Sequence, residues 1–171
     1  GAVVVPVSVG NTTTSAGIFL GGALVRTTRV PTIRLREIWR LFGRIADDFR
    51  DRTTAVIVGS VVPSLSEAAG EIATGEFTVP ARFYRQDVPA GVRIDVDKPE
   101  RVGDDRLANA LAAFQRTGGP VVIVDMGTAV TVDAVSADGA FLGGAILPGA
   151  RTAAKALAKH TALLPRVDLE G

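Results

Sequence analysis

Two stretches of the chain share a residue pattern suited to holding phosphate. "VVVPVSVGNTTTSAGIF" (3–19) and "VVIVDMGTAVTVDAV" (121–135) each pass from β-branched apolar residues through one polar residue, one further residue and a glycine. Each then continues into Thr or Asn and back to apolar residues. A glycine turn between strands lets a phosphate approach closely, its backbone N–H groups can point inward, and hydroxyl or amide side chains add donors. The candidates are Gly10, Asn11 and Thr12 in the first turn, and Gly127 and Thr128 in the second. Two residues before the second glycine stands Asp125, a carboxylate able to hold Mg²⁺ beside phosphates, whereas the first stretch has Ser8 there. Two readings stand. The turns merely close hairpins, or the two loops clamp a nucleoside triphosphate from both sides of a cleft; the repetition favours the second.

"DKPERVGDDRLANALAA" carries chemistry of another kind. Asp104 and Asp105 stand at the start of a helical stretch, where the helix dipole favours carboxylates. They either charge that end, with Arg106 in a local ion pair, or one of them takes a proton from a substrate hydroxyl. Spacing alone does not choose between these.

The elements that must position these residues read as an alternation of strands and helices. Val3–Val9, Ser15–Leu20 and Ala23–Thr28 form an antiparallel meander, turning at Gly10-Asn11 and Gly21-Gly22. "TIRLREIWRLFGRIADDFR" spaces its apolar residues helically and places Trp39 in the core. "TAVIVGSVVP" is a buried strand, and "SLSEAAGEIA" is a helix with a capping box at Ser64 and Glu67. Short strands come next around Phe77–Val88 and Gly91–Val96, then a helix over "GDDRLANALAAFQRT". Gly118-Gly119-Pro120 is the strongest break and divides the chain into 1–118 and 119–171. The second part restarts with strands, turns at Asp138-Gly139, and enters a helix after Pro148-Gly149 that ends near His160, the single histidine. A meander and then a helix open both parts, which is a duplicated α/β plan. In the helix after Arg106, the stripe of Leu107, Ala110, Leu111 and Phe114 suits a homodimer contact.

Composition narrows the classes. The 171 residues are 47% hydrophobic, ample for a core, and the net charge of +1 offers no argument for nucleic acid or anionic membrane. There is no cysteine, hence no disulfide, thiolate metal site or cysteine nucleophile. No apolar run reaches the ~18–20 residues of a membrane span, and Gly1 to Val9 lacks the pattern of a signal peptide, so the expected location is cytoplasmic.

With "GSVVP" and "FLGGAILPGARTAAKALAKHTALLPRV", these motifs occur in the order found in type III pantothenate kinases, and the chain resembles that family over nearly its whole length. The resemblance implies an α/β fold of the actin-like ATPase superfamily, two ribonuclease-H-like halves with nucleotide between them, the second half incomplete here. It implies ATP-dependent phosphorylation of the pantothenate hydroxyl, the first step of coenzyme A synthesis, by a homodimer using Mg²⁺ and a monovalent cation, K⁺ or ammonium. Gly10, Asn11 and Thr12 then match the first phosphate loop, and Asp125, Gly127 and Thr128 the second, with Asp125 near the metal or monovalent ion. Gly103, Asp105 and Arg106 match the Gly-x-Asp-Arg motif, with Asp105 as general base and its neighbours lining the pantothenate site. Thr161 matches a threonine that approaches substrate across the dimer, while His160 reads as a helix-end residue. Three departures accompany the match. Ser8 replaces the family's first-loop Asp, and Val96 stands where a tyrosine is common. The family also continues past the part matched by Pro165–Gly171, and its glycine-rich adenosine-binding segment lies in that continuation.

Overall fold

The computed structural model describes residues 1–32, 43, 47–165 and 167. Most of the helix expected over 32–50, including Trp39, lies outside them. Among the described residues, β1 (Val3–Val9), β2 (Thr13–Leu20), β3 (Ala23–Pro31), β4 (Thr53–Ser60) and β5 (Ala81–Phe83) form a five-stranded sheet in the order β3-β2-β1-β4-β5. A second, four-stranded sheet has the order β6-β9-β8-β7, from β6 (Arg93–Ile94), β7 (Val121–Met126), β8 (Ala129–Val135) and β9 (Ala140–Pro148). Three α-helices are described: α1 (Pro63–Glu76), α2 (Asp104–Thr117) and α3 (Ala150–His160). The fold is mixed α/β, with two sheets.

Contacts divide the chain into two compact units, 1–90 with 103–105, and 91–102 with 106–171. This differs from the expected boundary at Gly118–Gly119. The two-residue strand β6 pairs in parallel with β9, Arg93 opposite Ala140 and Ile94 opposite Phe141, so its segment belongs with the second sheet. Gly118, with φ +67, instead ends α2, its N–H donating to Phe114 O at 2.8 Å.

In the first unit, the odd-numbered valines of β1 alternate inward and pack with Ile18, Val56 and Val58 against Ala69, Ile72, Ala73 and Phe77. Each large side chain buried this way contributes about 1.5–3 kcal/mol. A one-residue slip would expose all four valines, so the core dictates which face Ser8 takes. β1 is antiparallel to β2 and parallel to β4, at the centre of its sheet. α1 begins two residues earlier than the Ser64–Glu67 capping box requires: Pro63 occupies its first turn, Val62 is the N-cap, and no side chain caps it. Ser60 Oγ accepts instead from Val62 N at 3.1 Å.

In the second unit, part of the stripe on α2 packs within the chain, with Leu111 and Phe114 left half-buried. Leu107 and Ala110 are fully buried. A Cβ at Gly91 would come within 2.8 Å of Leu111, and one at Gly139 within 2.8 Å of Phe114. Both glycines have positive φ, so the chain turns tightly beneath the helix.

Candidate active site

The first turn is built from its backbone outward. Gly10 donates its N–H to Thr13 O at 3.0 Å, and a Cβ at Gly10 would stand 2.9 Å from that same oxygen. The N–H of Gly10 is therefore taken by the turn, and any donor toward a phosphate comes from Asn11 onward. Thr32, at the end of β3, straps the loop: its N–H donates to Thr12 O at 2.9 Å and its Oγ1 to Gly10 O at 2.7 Å. Because that hydroxyl has one proton, Thr14 Oγ1, 3.1 Å away, must be the donor to Thr32 Oγ1. Both threonines are buried, while Asn11, Thr12 and Ser8 are exposed. Thr32 was not visible as a loop residue because its partner lies 22 positions upstream.

Gly103 and the first two residues of α2 belong to the same unit. A Cβ at Gly103 would meet Asp105 Oδ1 at 2.5 Å, so the glycine makes room for a carboxylate folded back over the helix start. Asp104 pairs with Arg85, Oδ1 to Nη1 at 3.5 Å. Arg85 has φ 67, a conformation non-glycine residues seldom adopt, and its N–H donates to Val88 O at 2.7 Å. Its neighbour Tyr84 donates its hydroxyl to Ala90 O at 2.6 Å. Burial, and then the Asp104 charge, push the Tyr84 phenol above its usual value, with Arg85 opposing. Arg85 is the residue that sequence reasoning missed here, since nothing in "FYRQDV" marks a left-handed arginine.

The second turn lies in the other unit. Gly127 donates to Ala129 O at 2.9 Å, and Thr128 O accepts from Gly149 N at 3.0 Å and Thr152 Oγ1 at 2.8 Å. A Cβ at Gly149 would overlap Gly127 O and stand 2.6 Å from Thr128 O, so only glycine lets the start of α3 back onto this loop. Asp125 is exposed, and Asn109 Nδ2 donates to its Oδ2 at 2.9 Å. Among the described residues no three His, Asp or Glu side chains gather to hold a metal ion unaided. One exposed carboxylate nevertheless suits Mg²⁺, which takes one or two carboxylates and completes its shell with phosphate oxygens and water. Asp125 fits an ion that arrives with a nucleotide.

Arg106 is held by Asp133 of β8. Its Nε donates to Oδ1 at 3.0 Å and Oδ2 at 3.2 Å, Nη2 also donates to Oδ1, and the guanidinium lies 5.5 Å from the Phe141 ring centroid. Asp133 is 2% exposed and the Arg106 side chain 13%. A Cβ at Gly144 would overlap the Val132 carbonyl and approach Asp133 Oδ1 to 2.7 Å, which explains one glycine of "FLGGAILPG". Asp133 had a signal in the sequence: it is the lone charge in the apolar strand "AVTVDAV". Thr161 is the C-cap of α3 and exposed, its Oγ1 donating to Leu157 O at 2.8 Å. His160 is the last residue of that helix.

The structure thus groups Gly10, Asn11, Thr12, Gly103 and Asp105 in one unit, and Arg106, Asp125, Gly127, Thr128 and Thr161 in the other. The mixed α/β fold is shared with solved structures. It matches the type II variant of the Aquifex aeolicus Ppx/GppA phosphatase at a TM-score of 0.53 and 12% identity, over 93% of this chain and 55% of that one. An exopolyphosphatase-like protein matches at 0.52 and 9%, over 92% of this chain and 53% of that one. At these identities the likeness speaks for the fold alone. The family assignment comes from sequence: residues 4–171 match the family model of the type III pantothenate kinases. Curated type III pantothenate kinases of Rubrobacter xylanophilus and Koribacter versatilis are 41% and 37% identical, over 96% and 95% of this chain. The chain belongs to the type III pantothenate kinase family. It spans 64% and 65% of the length of those two relatives.

Proposed function

We propose that the protein transfers the γ-phosphoryl group of ATP to the hydroxyl of pantothenate, giving 4'-phosphopantothenate and ADP, the first step of coenzyme A synthesis. The observation that carries the proposal is the Gly103–Asp105 arrangement at the start of α2, within a chain of this family. Asp105 accepts the hydroxyl proton as the oxygen attacks the γ-phosphorus, an O–P bond forms, and the bond to the β-phosphate oxygen breaks in line with it. Gly103 keeps space for that carboxylate. Asn11 and Thr12 offer donors to phosphate oxygens from the loop strapped by Thr32, and Thr128 does so from the loop backed by Gly149. Asp125, oriented by Asn109, would hold the divalent or monovalent cation, which when bound offsets phosphate charge. Arg106, fixed in place by Asp133, lines the pantothenate site.

The reading extends to two ribonuclease-H-like halves in a cytoplasmic homodimer in which Thr161 reaches the partner's substrate. No membrane or nucleic acid partner is proposed; no described helix is long and apolar enough to cross a membrane. A second reading, a non-catalytic relative that keeps the fold, is favoured by two observations: Ser8 supplies no charge, and Arg106 is engaged by Asp133. Incubating the purified protein with ATP, Mg²⁺ and pantothenate, with and without K⁺ or ammonium, separates them. Formation of phosphopantothenate supports the kinase, and ATP binding without product supports the second reading.

A further inference from the structure

The two turns sit at the ends of equivalent strand triplets that differ in the sign of their charge. In the first sheet Ser8 of β1 is opposite Ser15 of β2, and Ser15 is opposite Arg29 of β3. Directly paired residues on neighbouring strands point to the same face, so Arg29, Ser15 and Ser8 form one row across three strands. In the second sheet, Asp125 of β7 is opposite Thr131 of β8, and Thr131 is opposite Ile146 of β9. Ser8 and Asp125 each precede their glycine by two residues. One row therefore reads guanidinium, hydroxyl, hydroxyl, and the other apolar side chain, hydroxyl, carboxylate. The first carries a positive charge and the second a negative one.

The positive row has the chemistry of an anion site. Arg29 is exposed, and its Nε donates to Ser15 Oγ at 3.4 Å. That contact occupies a lone pair of Ser15 and leaves its O–H to donate elsewhere. Among the described residues no carboxylate pairs with Arg29, in contrast to Arg26 on the same strand, which meets Asp48. Beyond Ser8 the row continues to Gly59 of β4, which has no side chain; the acid nearest that position, Asp104, whose Cβ lies 3.9 Å from where a Cβ would stand, is already paired with Arg85. Only the Val9–Thr14 pair separates the row from the Gly10–Thr12 turn.

We propose that Arg29, with Ser15 and Ser8, makes the first turn a metal-independent site for polyphosphate oxygens, so that the guanidinium takes the charge-balancing part there and cation binding is left to Asp125. The inference rests on reading the first turn as a phosphate loop, and it assigns Arg29 as a binding residue of that loop. Guanidinium groups suit this because they are permanently charged and donate in a fork that matches phosphate oxygens.

Titration calorimetry with inorganic tripolyphosphate in EDTA tests it. The wild type binds without divalent ion, and Arg29→Gln weakens binding by about ten- to a hundredfold, the size of a charge-assisted hydrogen bond. Ser8→Asp, which puts a negative charge in the row, weakens binding in EDTA and makes it depend on Mg²⁺. Arg29 is exposed on an edge strand, so an unchanged thermal midpoint checks that the variant is folded. Wild-type binding that vanishes in EDTA, or Arg29→Gln binding as tightly as wild type, overturns the inference. If either occurs while the wild type still phosphorylates pantothenate, the kinase reading stands and only the role of Arg29 falls. Tripolyphosphate binding that needs Arg29, without any phosphotransfer, retains the inference and removes the kinase.

Discussion

Replacing Arg106 with leucine should be among the most damaging single changes in the second unit. Asp133 is 2% exposed, and both of its oxygens accept from Arg106. Without the guanidinium, a buried carboxylate would be left beside Gly144, with its desolvation uncompensated. Breaking a buried pair from one side costs about 3–5 kcal/mol, set against the roughly 5–15 kcal/mol that holds a typical domain folded. With a urea slope of about 2 kcal/mol per molar, the unfolding midpoint falls by roughly 2 M. Removing both charges is milder: Arg106→Leu with Asp133→Val places a β-branched residue in β8 over the space that Gly144 leaves, and should recover most of the loss. Urea melts of wild type, both single variants and the double variant close the cycle. A loss below about 1 kcal/mol for Arg106→Leu, or a double variant no better than the single, would refute the clamp.

Three further outcomes are expected from the same geometry. Tyr84 is the only tyrosine, so its absorbance titration reports one residue. Its midpoint should lie above the usual value of about 10, move down in Asp104→Asn and move up in Arg85→Ala. Since the folded value is the raised one, this group's contribution to stability is complete below about pH 10 and is lost as pH rises through the folded value. Gly149→Ala should cost about 1–3 kcal/mol, because the new methyl meets the backbone of Gly127 and Thr128 rather than movable side chains; an unchanged thermal midpoint would contradict this. Asp125→Asn should weaken ATP binding in Mg²⁺ and leave it unchanged in EDTA, as calorimetry would show; equal losses in both buffers would mean that the carboxylate does not act through a cation.

Much of the fold was legible because strong local signals met no competitor. The β-branched runs of 3–9 and 121–126 are strands as their residue types suggest, the first with its odd-numbered face buried, and the glycine turn after each left little choice of connection. What escaped depended on partners distant in sequence. The stripe on α2 carries no sign in its own residues of the left-handed turns at Gly91 and Gly139 that come up against Leu111 and Phe114. β6 is too short to show alternation and exists because β9 offers it an edge. Ser64 and Glu67 match a capping box in type and spacing, but Pro63 starts the helix before the serine can cap it. In the site, the glycines and Asp105 stood out as punctuation and charge, whereas Thr32, Asn109 and Asp133 matter only through the residues they hold.

The most direct test of the account is transfer to pantothenate itself, monitored by ³¹P NMR for the wild type and for Asp105→Asn under identical ATP and Mg²⁺. The account predicts that the wild type forms 4'-phosphopantothenate and that the variant, folded as before, is slower by about a hundredfold or more, the usual contribution of a positioned general base. A folded wild type that makes no phosphopantothenate, or an Asp105→Asn variant that makes it at the wild-type rate, would contradict it.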